Sequence, residues 1–336
     1  MNLEPPSPRP REISVTEPLS AACGRTKRML FTPFDLSKWF VIGFCAWLAN
    51  LGESGGGGGS GFNHSVNKNF GLKNNDPAPQ FHHWYGMARD YVIVNMAWLL
   101  PVVIISFLII LGLGLLILWL NCRGKFMFLH CVALNRAEIV VPWDQYGGAA
   151  NRLFWFRLVL SLIGMVVMLP VVVILGILIF RIMTGDETNV PLFFAVGGVG
   201  MGLLLLVVVF ALIHKFMVDF VVPIMYVRGG SCLAAWREFF HLLAGHPGSF
   251  ILYILIQIVL AFVLGMLVMI IFLLTCCVAC CVAMLPYVGT VLLLPIFVFK
   301  RAYALYFLAQ FGPSYDVFPP DAPPVATVPP PGLQPL

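Results

Sequence analysis

FFHLLAGHPGSFILYILIQIVLAFVLGMLVMIIFLLTCCVACCVAMLPYVGTVLLLPIFVF, residues 239–299, runs for 61 residues without Asp, Glu, Lys or Arg. About 20 apolar residues suffice for a helix to cross the roughly 30 Å hydrocarbon core of a bilayer. One pass cannot use the whole stretch, so it must fold back on itself. The break falls within Cys276–Gly289, where Pro286 and Gly289 interrupt a helix.

Charge-free stretches at 91–122, 158–180 and 188–214 repeat the pattern. Together they predict spans near 32–52, 97–120, 155–180, 192–214, 250–275 and 286–309. The first holds Lys38, which must snorkel to the interface, with Thr32 as N-cap and Pro33 in the first turn. The last is interrupted by Lys300 and Arg301. Backbone groups in hydrocarbon must be satisfied within their own segment, so the spans are helices. Alternating ten-residue segments of a β-barrel are absent. The fold class is therefore an all-α polytopic integral membrane helical bundle, with about six transmembrane helices in three hairpins plus cytoplasmic interfacial helices.

Composition agrees. The chain is 60% hydrophobic and 10% charged, against about 25% charged in soluble domains. A soluble protein this apolar would expose large aggregating patches. The net charge of +5 suits anionic lipid headgroups rather than nucleic acid, and no long basic stripe is present. Membrane lipids are the expected partners. The first 30 residues lack the apolar core of a cleavable signal, so the first hydrophobic helix is expected to act as an uncleaved start signal.

Lys and Arg set the orientation. Sixteen fall in the segments assigned to one side, including Arg25, Lys38, Arg123, Lys125, Arg157, Lys215, Arg228 and Arg301, and four, Lys68, Lys73, Arg89 and Arg181, on the other. Both termini are expected in the cytoplasm. Residues 1–30 and the proline-rich 312–336 read as disordered tails around a transmembrane domain at 31–311, with a flexible glycine-rich outer loop at 52–80. Val328-Pro329-Pro330-Pro331 is a candidate docking segment for a protein partner.

Two cytoplasmic segments share Pro, an aromatic and Asp in a row, Pro33-Phe34-Asp35 and Pro142-Trp143-Asp144, before an aromatic membrane entry. The third, Ser231–Phe250, lacks the triplet. Its Leu233, Trp236, Phe240 and Leu243 share a helical face opposite Arg237, Glu238 and His241, which predicts a helix in the interface plane.

The stretch FVVPIMYVRGGSCLAAWREFFHLLAGHPGSF (Phe220–Phe250), with Arg123–Trp143 and Ala302–Phe318, resembles a broad bacterial membrane family that includes the membrane domain of glycerophosphoryl diester phosphodiesterases. The shared features are a Pro near a helix end, a Gly turn, an Ala-rich amphipathic helix, and Gly before the next span. The resemblance implies membrane architecture and the bacterial inner membrane. It implies no catalytic residue, since the soluble phosphodiesterase domain of some relatives has no counterpart here.

Candidate chemistry is sparse. Cys276, Cys277, Cys280 and Cys281 form CCVACC. Zinc needs four converging thiolates, whereas one helix fans these apart, so small apolar packing residues are the expectation and a disulfide or metal site the alternative. Gly52-Glu53-Ser54-Gly55-Gly56 satisfies G-x-S-x-G but lacks the strand–turn–helix setting of a nucleophile elbow. His64, His82 and His83 lack carboxylate or thiol neighbours at ligand spacing. Gly198 and Gly202 form a small-xxx-small helix-packing pair. Lys215 and Asp219, four apart, are spaced to pair. Gln257 is the main polar side chain within the fifth span and should seek an interhelical hydrogen bond. No Asp, Glu, Lys or Arg stands near the middle of the second to fifth spans, which counts against ion-coupled transport. No cofactor is expected. The leading functional reading is a non-enzymatic lipid-associated, scaffolding or accessory protein. The alternatives are a permease or channel for a small solute, and a membrane enzyme or metal-site protein using the CCVACC cluster.

Overall fold

The computed structural model describes residues 13–32, 34–53, 94–184, 190–275 and 285–318. Every regular element among them is helical: α1 (Glu17–Leu30), α2 (Leu36–Asn50), α3 (Met96–Leu134), α4 (Val140–Gln145), α5 (Gly147–Thr184), α6 (Val190–Phe216), a π-helical turn (Met217–Val221), α7 (Val222–Arg228), α8 (Cys232–Gly245), α9 (Pro247–Leu274), α10 (Pro286–Leu292), α11 (Leu294–Ala309) and a closing 3-10 turn (Pro313–Tyr315). Four stretches are long and apolar enough to cross a membrane: Trp98–Leu134, Gly147–Ile182, Val190–Arg228 and Pro247–Leu274.

Each of these four has two chemically distinct halves. Residues 98–118 of α3, 158–182 of α5, 190–213 of α6 and 258–274 of α9 are largely exposed and, Arg181 apart, free of charge. Phe262, for example, is 74% exposed. The 98–118 half is about 30 Å long at 1.5 Å per residue, the thickness of the hydrocarbon core. Within this region α5 and α6 pack together, Phe210 lying over Gly164.

The other halves enter a packed core with α1, α2, α4, α7, α8 and α11. The main aromatic knot joins four elements around Phe220 of the π-helical turn. Its ring centroid lies 5.4 Å from Phe239 of α8, 5.2 Å from Phe250 and 5.1 Å from Tyr253 of α9, and 6.0 Å from Phe307 of α11. All five rings are fully buried, each such burial being worth about 1.5–3 kcal/mol.

The first and last expected spans appear as short helices inside this core. α2 has 15 residues and α11 has 16. α2 runs antiparallel to the inner half of α3: Lys38 Nζ donates to Asn135 Oδ1 (2.8 Å) at one end, and Asn121 Nδ2 donates to Ala49 O and Leu51 O (both 2.8 Å) at the other. Gly124 makes this approach possible, because a Cβ there would sit 2.5 Å from Ala49 N. The cap of α2 is Asp35, accepting from Ser37 N at 2.9 Å, and not Thr32. A carboxylate one residue before the helix satisfies an orphan amide and complements the helix dipole.

Two local expectations are corrected. Residues 1–30 were expected to be disordered, but α1 fills Glu17–Leu30, burying Ala22, Met29 and Leu30 against the core. Its approach is fixed by a reciprocal clamp, in which Ser14 N donates to Gln310 Oε1 and Gln310 Nε2 donates to Ser14 O (both 2.8 Å). The C-terminal tail, expected to be disordered from 312, is ordered to Phe318: Tyr315 OH donates to Glu238 Oε1 at 2.6 Å, and Phe318 stacks on Tyr306. In α8 the side packed on the core is Cys232, Ala235, Trp236 and Phe239, while Leu233 and Phe240 of the apolar face expected at the membrane interface are exposed. The helix begins at Cys232, after the left-handed turn at Gly229 (φ 63°), and is capped by Ser231 accepting from Ala234 N.

Candidate functional site

Charged side chains gather where the exposed apolar halves give way to the core. Glu53, three residues past α2, is the centre. Its Oε1 lies 2.6 Å from Lys125 Nζ of α3, 3.2 Å from Arg157 Nη2 of α5 and 3.4 Å from His214 Nε2 of α6. Arg157 Nη1 also donates to Asn121 Oδ1. Lys125 is 3% exposed and Glu53 24%. Burial acts to raise the Glu53 carboxyl pKa; the His214 hydrogen bond and the charges of Lys125 and Arg157 outweigh it and hold the carboxyl well below the usual carboxylate range.

A second network adjoins it. Asp219 Oδ2 pairs with Lys215 Nζ (2.8 Å) and accepts from Tyr253 OH (2.9 Å). Gln257 Nε2 donates to that same hydroxyl (3.0 Å), and Lys215 Nζ donates to Gln257 Oε1 (3.4 Å). Thus α6, the π-helical turn and α9 are tied by one set of polar groups, of which Asp219, Tyr253 and Gln257 are buried and gain from the low dielectric when every member is satisfied.

The π-helical turn also presents Val218 O to a third group. Val222 N donates to Met217 O, five residues back. In that register the donor to Val218 O would be residue 223, which is Pro223 and has no N–H. The stranded carbonyl is taken by Arg301 Nη1 of α11 at 2.6 Å. π-helical insertions recur at functional sites, and here one sets Asp219 and the Arg301 guanidinium on one wall.

These groups line a cavity of about 170 Å³ between α2, α3, the π-helical turn and α11, with Glu53, Lys125, Lys215, Asp219, Lys300 and Arg301 as its charged lining. Five cations, counting Arg157 behind Glu53, face two carboxylates. A larger hollow of about 760 Å³ lies between α1 and the end of α11, lined by Glu17, Tyr306, Gln310 and Asp316, and lacks such a charge cluster.

Of the residues singled out in the sequence, Gln257 and the Lys215–Asp219 pair fall in this site. Gly198 and Gly202 do not act as a packing pair among the described residues: both are exposed, with no atom within 4 Å of where a Cβ would be. Close approach occurs instead at Gly43, Gly124 and Gly164. Cys276, Cys277, Cys280 and Cys281, together with Ser54, His64, His82 and His83, lie outside the described residues. Among the described residues no group of three or more His, Cys, Asp or Glu is placed to hold a metal. Glu53 and Arg301 were not singled out: Glu53 looked like the variable position of a glycine-rich loop, and Arg301 like an interface charge.

Four apolar helices of spanning length over a polar-centred helical core define the class as an all-α membrane-type protein. Residues 13–294 match a family of unknown function (DUF7544), and the chain belongs to it. No curated protein and no solved structure matches the chain.

Proposed function

We propose that the chain is a multi-pass membrane protein with a non-enzymatic, lipid-associated, scaffolding or accessory role. The observation that carries this reading is the division of the four long helices. Their exposed halves are apolar, and Arg157, Lys215 and Gln257 stand where those halves end. This is the order of chemistries met on leaving a bilayer for its headgroup layer. In the proposed arrangement the core and both termini lie on the cytoplasmic side, following the Lys and Arg asymmetry, and the membrane is a bacterial inner membrane, following the resemblance of Phe220–Phe250. Kinship with the membrane domain of glycerophosphoryl diester phosphodiesterases belongs to the same proposal. The Gly229 turn, the Ser231-capped helix and the entry of α9 at Pro247 fit it.

The four long helices alone would leave the residues before α3 and after α9 on the face away from the core, so a core and termini that share one face require two further crossings, six in all. A six-pass, three-hairpin layout would add α2 and α10–α11. α2 alone covers about 22 Å at 1.5 Å per residue, so it would need its flanking residues to reach across.

Cysteine labelling tests the arrangement. In a background lacking native cysteines, Val190→Cys at the far end of α6 and Arg136→Cys in the core should react with a membrane-impermeant maleimide from opposite faces of the membrane. Both chains should stay in the membrane pellet after alkaline carbonate washing. Labelling of both sites from the same face, or release by carbonate, would sink the reading.

A further inference from the structure

The charges lining the cavity near Glu53 do not balance, and the imbalance is local. Asp219 is matched by Lys215, and Glu53 by Lys125 and Arg157. That leaves Lys300 and Arg301. Arg301 is 6% exposed and spends Nη1 on Val218 O, while its buried Nε and Nη2 have no hydrogen-bond partner. Lys300 forms no ion pair among the described residues. An unpartnered buried charge costs several kcal/mol, so a cavity left this way strongly favours an incoming anion. The Nε–Nη2 edge of a guanidinium offers two parallel donors, the fork that meets a carboxylate or phosphate bidentately.

We propose that this cavity is a phosphate-binding site, in which the unpartnered edge of Arg301 together with Lys300 and Lys215 holds a phosphate group. A phosphate group accepts bidentately from a guanidinium while its oxygens keep lone pairs for an ammonium. Lys215 is the half-exposed member and marks the mouth. It directly follows the apolar half of α6, so the mouth opens at the depth where lipid phosphates lie. The phosphodiester of an anionic phospholipid headgroup is one source of this chemistry and free phosphate another. The lipid source rests on the membrane reading above.

The test uses the full chain, delipidated in a maltoside detergent. Its thermal midpoint is followed during titration with phosphatidylglycerol, phosphatidylcholine, inorganic phosphate and acetate, for the wild type, R301Q and K300Q. Phosphatidylglycerol should raise the midpoint saturably. Phosphatidylcholine, whose choline cation opposes the site, should act more weakly. Each variant should bind phosphatidylglycerol about tenfold more weakly or worse, the scale of one lost charge-assisted hydrogen bond. A matching response to inorganic phosphate would support the site and name the free anion as a source.

No response to either phosphatidylglycerol or inorganic phosphate would overturn the proposal. So would an equal response to acetate, or shifts that are the same for both lipids and unchanged in the variants. If R301Q does not fold, K300Q decides, since Lys300 is only half-buried. Flotation with phosphatidylcholine liposomes separates the two levels. A chain that floats but ignores phosphate loses only the site, whereas one that does not float loses the membrane reading.

Discussion

Glu53 Oε1 lies 2.6 Å from the Nζ of Lys125, a lysine 3% exposed, and the same oxygen faces Arg157 and His214. One carboxylate oxygen therefore joins the end of α2 to α3, α5 and α6. Removing its charge would leave two buried cations facing each other. Glu53→Gln should destabilise the protein by about 2 kcal/mol, below the 3–5 kcal/mol of a fully buried pair because Glu53 is a quarter exposed. The pH dependence has a definite sign. The folded carboxyl titrates below its unfolded value, so its contribution is complete above the unfolded pKa of about 4.3 and is lost as pH falls through the folded pKa. The gap in melting temperature between wild type and E53Q, measured in detergent, should be constant from neutral pH to about 5 and should close below about 4. A gap that widens on acidification would contradict the arrangement.

Tyr253 holds the second network through one hydroxyl, which donates to Asp219 and accepts from Gln257. Tyr253→Phe keeps the ring, and with it the stacking on Tyr303 at 5.5 Å, while leaving two buried partners short. A loss of about 1–3 kcal/mol follows, the cost of an unsatisfied buried group. Gln257→Leu should cost less in the Tyr253→Phe background than in the wild type, because the lost bond is shared. Chemical denaturation of the four proteins forms the cycle, and strict additivity would mean that the hydroxyl does not couple them.

Much of this was legible in the sequence, for a simple reason. Apolar runs such as 98–118 and 258–274 carry their signal in composition and need no partner to be read, so all four long helices were found. Lys215 and Asp219 are four apart on one helix, so their pairing was local. Glu53 was invisible because its three partners are 72 to 161 residues away and come from three different helices. Arg301 was misread for the same reason: its partner is a carbonyl freed by Pro223, and only the π register shows that residue 218 is the one stranded. α1 was missed because its apolar positions are few and spaced for one face, so mean polarity hid a stripe that packs on α11.

Glycine function is where sequence and structure part most clearly. A Cβ at Gly124 would meet the α2 backbone at 2.5 Å, at Ala49 N and Leu48 C, and a backbone cannot rotate aside. Gly124→Ala should cost about 3 kcal/mol, the upper range for overpacking, and should loosen the Asn121 bonds to Ala49 and Leu51. Gly198→Ala and Gly202→Ala meet nothing within 4 Å among the described residues, and Ala is favoured over Gly in a helix by about 1 kcal/mol. These two should be neutral or slightly stabilising. Thermal midpoints of the three variants check the contrast, and a destabilised G198A or G202A would point to a partner helix at that face.

The clamp between Ser14 and Gln310 gives the final test, because it separates an ordered N-terminal helix from a tail. Gln310 uses both ends of its amide on one backbone residue 296 positions away, and Tyr303 OH adds a bond to Val15 O at 3.2 Å. Gln310→Ala removes two hydrogen bonds of about 1 kcal/mol each without touching the apolar face of α1. Local opening should therefore rise more than global unfolding. Hydrogen exchange should quicken in 14–30 by on the order of tenfold, the equivalent of about 1.4 kcal/mol, while the inner half of α3 stays protected. Uniform acceleration across both segments would mean that α1 is bound into the core as one cooperative unit, and the clamp would then be a detail of its docking rather than its latch.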